Sequence, residues 1–136
     1  MSEHADRSQL AGVIIARRGE LLFVGAEIAE RVVERPVISR VPGTDLGMAL
    51  VLGRVTSVVE LDEGGGELLV CNVDGEPIAL SGLSVVGAGF YEVDGQGVRH
   101  RDLHVPRFDV EGELGKIEGR LLYRHLASDS RKVGLR

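Results

Sequence analysis

The stretch Val37-Ile-Ser-Arg-Val-Pro-Gly43, with Leu46-Gly-Met-Ala-Leu-Val-Leu-Gly-Arg-Val-Thr-Ser-Val-Val-Glu-Leu61 close behind it, decides the fold. It joins a Pro-Gly turn to a long β-branched run with almost no charge, interrupted only by Gly53-Arg54. Val-rich runs bounded by turn residues read as strands. Two buried strands, Leu46 to Leu52 and Val55 to Leu61, are therefore expected near the centre of a β structure, with a tight link between them.

The chain on either side repeats this character. Ala11 to Ala16 and Leu21 to Val24 flank Arg17-Arg-Gly-Glu20, a hairpin signal with Gly19 in the turn. Between residues 26 and 34, Ile28 and Val32, and Glu27 and Arg31, lie four apart, which suits a short helix. Val32-Val33 pulls toward strand, so a helical turn running into a strand is expected, ended by Pro36. Val37 to Val41 then leads into the Pro42-Gly43 turn. Asp62-Glu-Gly-Gly-Gly-Glu67 is an acidic loop. Asp74-Gly75, between Leu68 to Val73 and Glu76 to Leu80, is the strongest hairpin signal in the chain. Leu83 to Val93 and Val98 to Val105 flank a second candidate at Asp94-Gly-Gln-Gly97. After Pro106, Ile117, Leu121, Leu122 and Leu126 fit one helical face. The expected organisation is a polar, mobile tail over residues 1–9, one domain over 10–126 and a basic tail over 127–136.

Composition agrees with an all-β architecture containing short helices. The 136 residues are 43% hydrophobic and 27% charged, so the chain can bury a core. Aromatics make up 4%, leaving that core to aliphatic side chains, and 19 glycines imply frequent turns. The single cysteine, Cys71, excludes an intramolecular disulfide and reads as a small buried hydrophobe within Leu68-Leu-Val-Cys-Asn-Val73. Met1 to Gln9 has no apolar signal-peptide core, and no run approaches the roughly 20 apolar residues of a membrane span. A cytoplasmic location without membrane insertion is expected. Residues 58–113 carry twelve acids against three bases, while 114–136 carry six bases against two acids. An acidic body disfavours nucleic acid as a partner.

No catalytic constellation accompanies these strands. His100 and His104, on one strand, would stand about 13 Å apart, too far to share a metal ion. Gly64-Gly65-Gly66 lacks the Lys-Ser/Thr and helix of a phosphate loop, and Gly87-Ala-Gly89 lacks a dinucleotide-binding context. Asp109, Glu111 and Glu113 alternate and would share one face of a strand, reading as an exposed acidic edge. Ser81 and Ser84 have no nucleophile-elbow setting. The expectation is a binding module, not an enzyme, with no metal and no cofactor.

The segment from Ala11 to Leu61 resembles the chemotaxis coupling-protein family, the CheW-like domains. Val41-Pro-Gly43 looks like the family's Pro-Gly turn, Gly47 like the glycine that follows, and Val58-Val-Glu-Leu61 like its terminal strand. The Leu68 to Leu80 hairpin and Phe108-Asp-Val-Glu-Gly-Glu-Leu114 are similar to later elements. Of the family's Asn-Leu-Arg-Gly motif, Leu50-Val-Leu-Gly53 keeps the glycine, with Arg54 just beyond. The resemblance implies two small β-barrel subdomains sharing an aliphatic core. It also implies a non-enzymatic adaptor or scaffold in a bacterial chemotaxis-like or motility assembly, with protein partners such as a CheA-type histidine kinase or a chemoreceptor. The partner-binding surface is expected around Pro42, Gly43, Leu52, Gly53 and Arg54. The competing expectation is a small-ligand-binding β-barrel or weak enzyme using carboxylates such as Asp109 and Glu111.

Overall fold

A computed structural model describes residues 8–34, 36–40, 42–43, 46–62 and 66–115. The strands are β1 (Gln9–Arg17), β2 (Glu20–Gly25), β3 (Ala29–Glu34), β4 (Ile38–Arg40) and β5 (Leu46–Val51). They continue with β6 (Arg54–Glu60), β7 (Glu67–Val73), β8 (Glu76–Asp94), β9 (Gly97–His100) and β10 (Leu103–Val105). Among the described residues one helix, α1, covers 110–115. The helical face expected at Ile117, Leu121, Leu122 and Leu126, the basic tail over 127–136 and most of the N-terminal tail lie outside the described residues. Among the described residues no helix is long and apolar enough to cross a membrane.

Hairpin chemistry sets the connections. Arg18-Gly19, Leu52-Gly53, Asp74-Gly75 and Arg101-Asp102 each have two consecutive positive φ angles. That is the pattern of the type I′ turn, whose twist matches the strands that it joins. Two of the sequence expectations fail here. Val98 to Val105 is not one strand: Arg101-Asp102 folds it into β9 and β10, with His100 opposite Leu103 and His104 opposite Arg99. Leu83 to Val93 is not a separate strand but the second half of β8, which runs unbroken for 19 residues. In the 26–34 segment, residues 26–28 form a turn and β3 follows at once, so Arg31 enters a ladder with Val70 instead of a helical pair with Glu27.

β8 divides the architecture into two halves. Its first half pairs antiparallel with β7 and parallel with β6. Beyond these, β3 adds to β7, and β5 then β4 add to β6. Its second half pairs with β1 and β9, which carry β2 and β10 outward. An isolated parallel bridge between Phe23 and Arg107 links β2 to the segment after β10. The Phe23 N–H donates to the Pro106 carbonyl at 2.9 Å, and the Phe108 N–H donates to the Phe23 carbonyl at 2.8 Å. In the other half, β3 and β4 are ladder edges. Among the described residues the fold is mainly β, and its sheet is not closed.

Three apolar clusters explain why several strands lack a period-two pattern. Ile14 and Ile15 are adjacent yet both fully buried. Ile14 joins Phe23, Val98 and Val105 on one side, while Ile15 joins a larger cluster with Val24, Leu69, Leu80, Leu83 and Leu114 on the other. A register shift in the β1–β8 ladder falls between these two isoleucines. β7 repeats the arrangement: Leu69 and Cys71 face the large cluster, and Leu68 and Val70 face a third with Ala49, Val51 and Val58. Strands covered on both faces read as continuous apolar runs.

Gly82 bends β8 where its partners change. It holds φ +80, and a Cβ there would run into the backbone of Asp62. Gly82→Ala should lower stability by about 3 kcal/mol, combining left-handed strain with a clash against backbone that cannot yield. Gly19→Ala, whose Cβ would meet open space, should cost only about 1 kcal/mol. Urea denaturation of both variants checks the ranking, and equal midpoints would show that the bend does not need Gly82.

Cys71 is fully buried, as its apolar setting implies. Burial, reinforced by the negative charge of Glu30, pushes its thiol up to about 12. The folded chain thus holds this proton more tightly than the unfolded chain does. The contribution to stability is intact below the ordinary value near 9.0 and is lost as pH rises through the raised folded value. At pH 8, Ellman's reagent should label Cys71 only as fast as the chain unfolds; immediate labelling of the native protein would contradict this burial.

Candidate functional site

β4, β5 and β6 form an antiparallel meander at one edge of the sheet. The expectation of two buried strands near the centre holds at one end, where Val58 and Val59 are buried in different clusters and Leu46 packs against the larger one, and is corrected toward the Leu52 turn, where β5 and β6 are covered on one face only. Their inner face supplies Ala49, Val51 and Val58 to the core. Their outer face, which alternation should have made polar, presents Met48 at 48% exposure, Leu50 at 69% and Val55 at 72%. Leu50 pairs directly with Val55, and Met48 lies between Ser39 and Ser57. Neither a carboxylate nor a cation interrupts this row. A contiguous exposed apolar strip of this kind marks an interaction surface more often than chance.

The strip runs up to the Leu52-Gly53 turn. Leu52 holds φ 50 and is 73% exposed, and Gly53 holds φ 77. Glycine adopts this backbone freely, whereas a residue with a Cβ is destabilised there by about 1 kcal/mol. At the same turn position the other three hairpins carry Arg18, Asp74 and Arg101, so Leu52 is the apolar exception. Arg54 opens β6 beside it, and its carbonyl accepts a hydrogen bond from the Thr56 hydroxyl at 3.4 Å.

The five residues expected at a partner surface do not converge. Leu52, Gly53 and Arg54 are consecutive at one end of the meander, whereas Pro42 and Gly43 sit at the other end, between β4 and β5. The six residues of β5 separate the two groups by on the order of 20 Å. Near the Pro42 end, Arg40 pairs with Glu60 at 3.1 Å. Sequence reading missed Met48, Leu50 and Val55, which lie between the two groups. Their signal lies in β5, where apolar residues occupy both parities, a pattern that fits equally a strand buried on both faces and one with an uncovered apolar face.

The chemistry elsewhere is structural. Asp109, Glu111 and Glu113 do not share a strand face, because α1 begins directly after Asp109. The Asp109 carboxylate accepts a hydrogen bond from the Gly112 N–H at 3.0 Å, capping α1. Glu113 lies 3.9 Å from Arg17, so Asp109 and Glu113 serve different structural roles. His100 and His104 lie on opposite strands of a hairpin, and His104 Nδ1 is 3.0 Å from an Asp94 oxygen. An open cleft of about 700 Å³ includes Glu27, His104, Arg107 and Glu111 in its wall. Among the described residues, no group of His, Cys, Asp and Glu is arranged to hold a metal ion.

No family model and no curated protein sequence matches the chain. Comparison with solved structures does find similarity, to the scaffolding protein TtCheW from Thermoanaerobacter tengcongensis. The two superpose with a TM-score of 0.59 at 14% sequence identity, over 71% of this chain and 86% of that one. The chain therefore has a divergent CheW-like fold.

Proposed function

We propose that this chain is a non-enzymatic, cytoplasmic adaptor that couples proteins in a bacterial chemotaxis-like or motility signalling assembly. The observation that carries this reading is the exposed apolar face of β5 and β6 on a fold shared with a scaffolding protein. Association through such a face needs shape and apolar area rather than reactive groups. The two halves around β8 correspond, in this reading, to the two small barrels of CheW-like domains. Residues 10–126 form one such domain, with 127–136 as a basic tail. Pro42 and Gly43 border the docking face at one end, and Leu52, Gly53 and Arg54 border it at the other. The partner is a CheA-type histidine kinase or a chemoreceptor. The acidic body argues against nucleic acid. The carboxylate-based alternative is not favoured, because Asp109 caps α1 and Glu111 lies within that helix instead of beside it on one strand face.

Titrating the purified chain with the regulatory domain of a CheA-type kinase, and separately with a chemoreceptor signalling tip, tests the reading. Saturable binding at micromolar strength or tighter is expected for at least one of them. Leu50→Asp, on the exposed face, should weaken binding at least tenfold, about 1.4 kcal/mol, and leave the melting temperature nearly unchanged. Arg54→Glu should also weaken it. A folded chain that binds neither probe would end the adaptor reading, and full affinity in Leu50→Asp would remove the β5–β6 face from it.

A further inference from the structure

Resting on the adaptor reading, we infer that Leu52 is an anchor residue, held in a strained turn so that it enters an apolar socket bordered by a carboxylate on the partner protein. Three observations converge on it. Leu52 is 73% exposed at the tip of a hairpin whose adjoining outer face is itself apolar and exposed. Its backbone is left-handed at φ 50, where Asn, Asp or Gly would satisfy a type I′ turn with less strain. The same left-handed backbone recurs at Arg18 and Arg101, so the feature that sets Leu52 apart is an exposed apolar side chain at a position where Asn, Asp or Gly would be more stable.

Charge fixes the chemistry of the other side. Arg40, near the far end of the face, is neutralised by Glu60. Arg54, beside Leu52, forms no ion pair among the described residues. An apolar projection next to a cation that no described residue pairs is complemented by an apolar depression next to an anion, and such pairs raise specificity and association rate. In the adaptor reading the occupant is a different protein whose acidic rim faces Arg54, and a second copy of this chain is the competing occupant.

Two substitutions separate anchor from scaffold. Leu52→Asn preserves the turn and removes the apolar reach, and Leu52→Met keeps that reach. Leu52→Asn should raise the melting temperature of the free chain, by about 3 °C, while weakening binding to the kinase regulatory domain or receptor tip at least tenfold. Leu52→Met should bind within about threefold of the parent chain, as apolar swaps of similar volume do. Higher salt should weaken the parent chain more than an Arg54→Gln variant. Parent binding with unchanged Leu52→Asn affinity overturns the socket alone, and a lowered melting temperature in Leu52→Asn overturns the strain. Parent chain that binds neither probe overturns the adaptor reading and the socket with it. Self-association by sedimentation that disappears in Leu52→Asn overturns the acidic partner in favour of a second copy.

Discussion

The fold depends on β8 being one continuous strand. Its first half closes the ladder between β6 and β7, and its second half closes the ladder between β1 and β9. Leu80 and Leu83, near the junction, are almost wholly buried in the cluster that both halves contribute to. A strand that changes partners midway must turn its faces without losing its hydrogen bonds. Gly82 allows this, because the backbone of Asp62 passes where a side chain would stand. The neighbouring contact is secured by the Leu61 N–H, which donates to the Ser81 carbonyl at 3.0 Å.

The sequence made the turns legible where the turn residues were favourable, and left them obscure where they were not. Asp74-Gly75 and the Gly19 hairpin stood out because those residues are the ones that type I′ turns prefer. Arg101-Asp102 adopts the same geometry with no glycine or asparagine, and nothing in its composition announces it. The length of β8 was hidden for the opposite reason: Ser81-Gly82 looks like punctuation, yet the strand bends through it. Propensity left residues 26–34 balanced, and pairing with β7 decided for strand, which is tertiary structure overriding a local preference. The run from Asp109 to Glu113 alternates like a strand, but the Asp109 side chain captured the Gly112 N–H and started a helix.

The candidate site was half legible. Turn residues draw attention because they punctuate the sequence, so Pro42, Gly43, Leu52 and Gly53 were visible. The face between them was not, since an apolar residue in a strand gives no sign of whether anything covers it. β1 and β5 look alike in sequence, yet Ile14 and Ile15 are both buried while Met48 and Leu50 are exposed against buried Ala49 and Val51. The difference lies in strand order: β1 sits between β2 and β8, with a cluster on each side, and β5 lies one strand from the sheet edge.

The pairing of β1 with β8 also has a consequence in time. Gln9 faces Glu92, so β1, once synthesised, must wait for roughly eighty further residues before its second neighbour exists. At synthesis rates of about 5–20 residues per second that interval is about 4–16 s. Meanwhile the β1–β2 hairpin carries Ile14, Ile15 and Phe23 without the layers that later cover them, and one edge of β1 is unpaired. During that interval the hairpin presents an unpaired edge and uncovered apolar side chains, so the exposure of the nascent chain to aggregation depends on how fast β8 follows as well as on the stability of the finished fold.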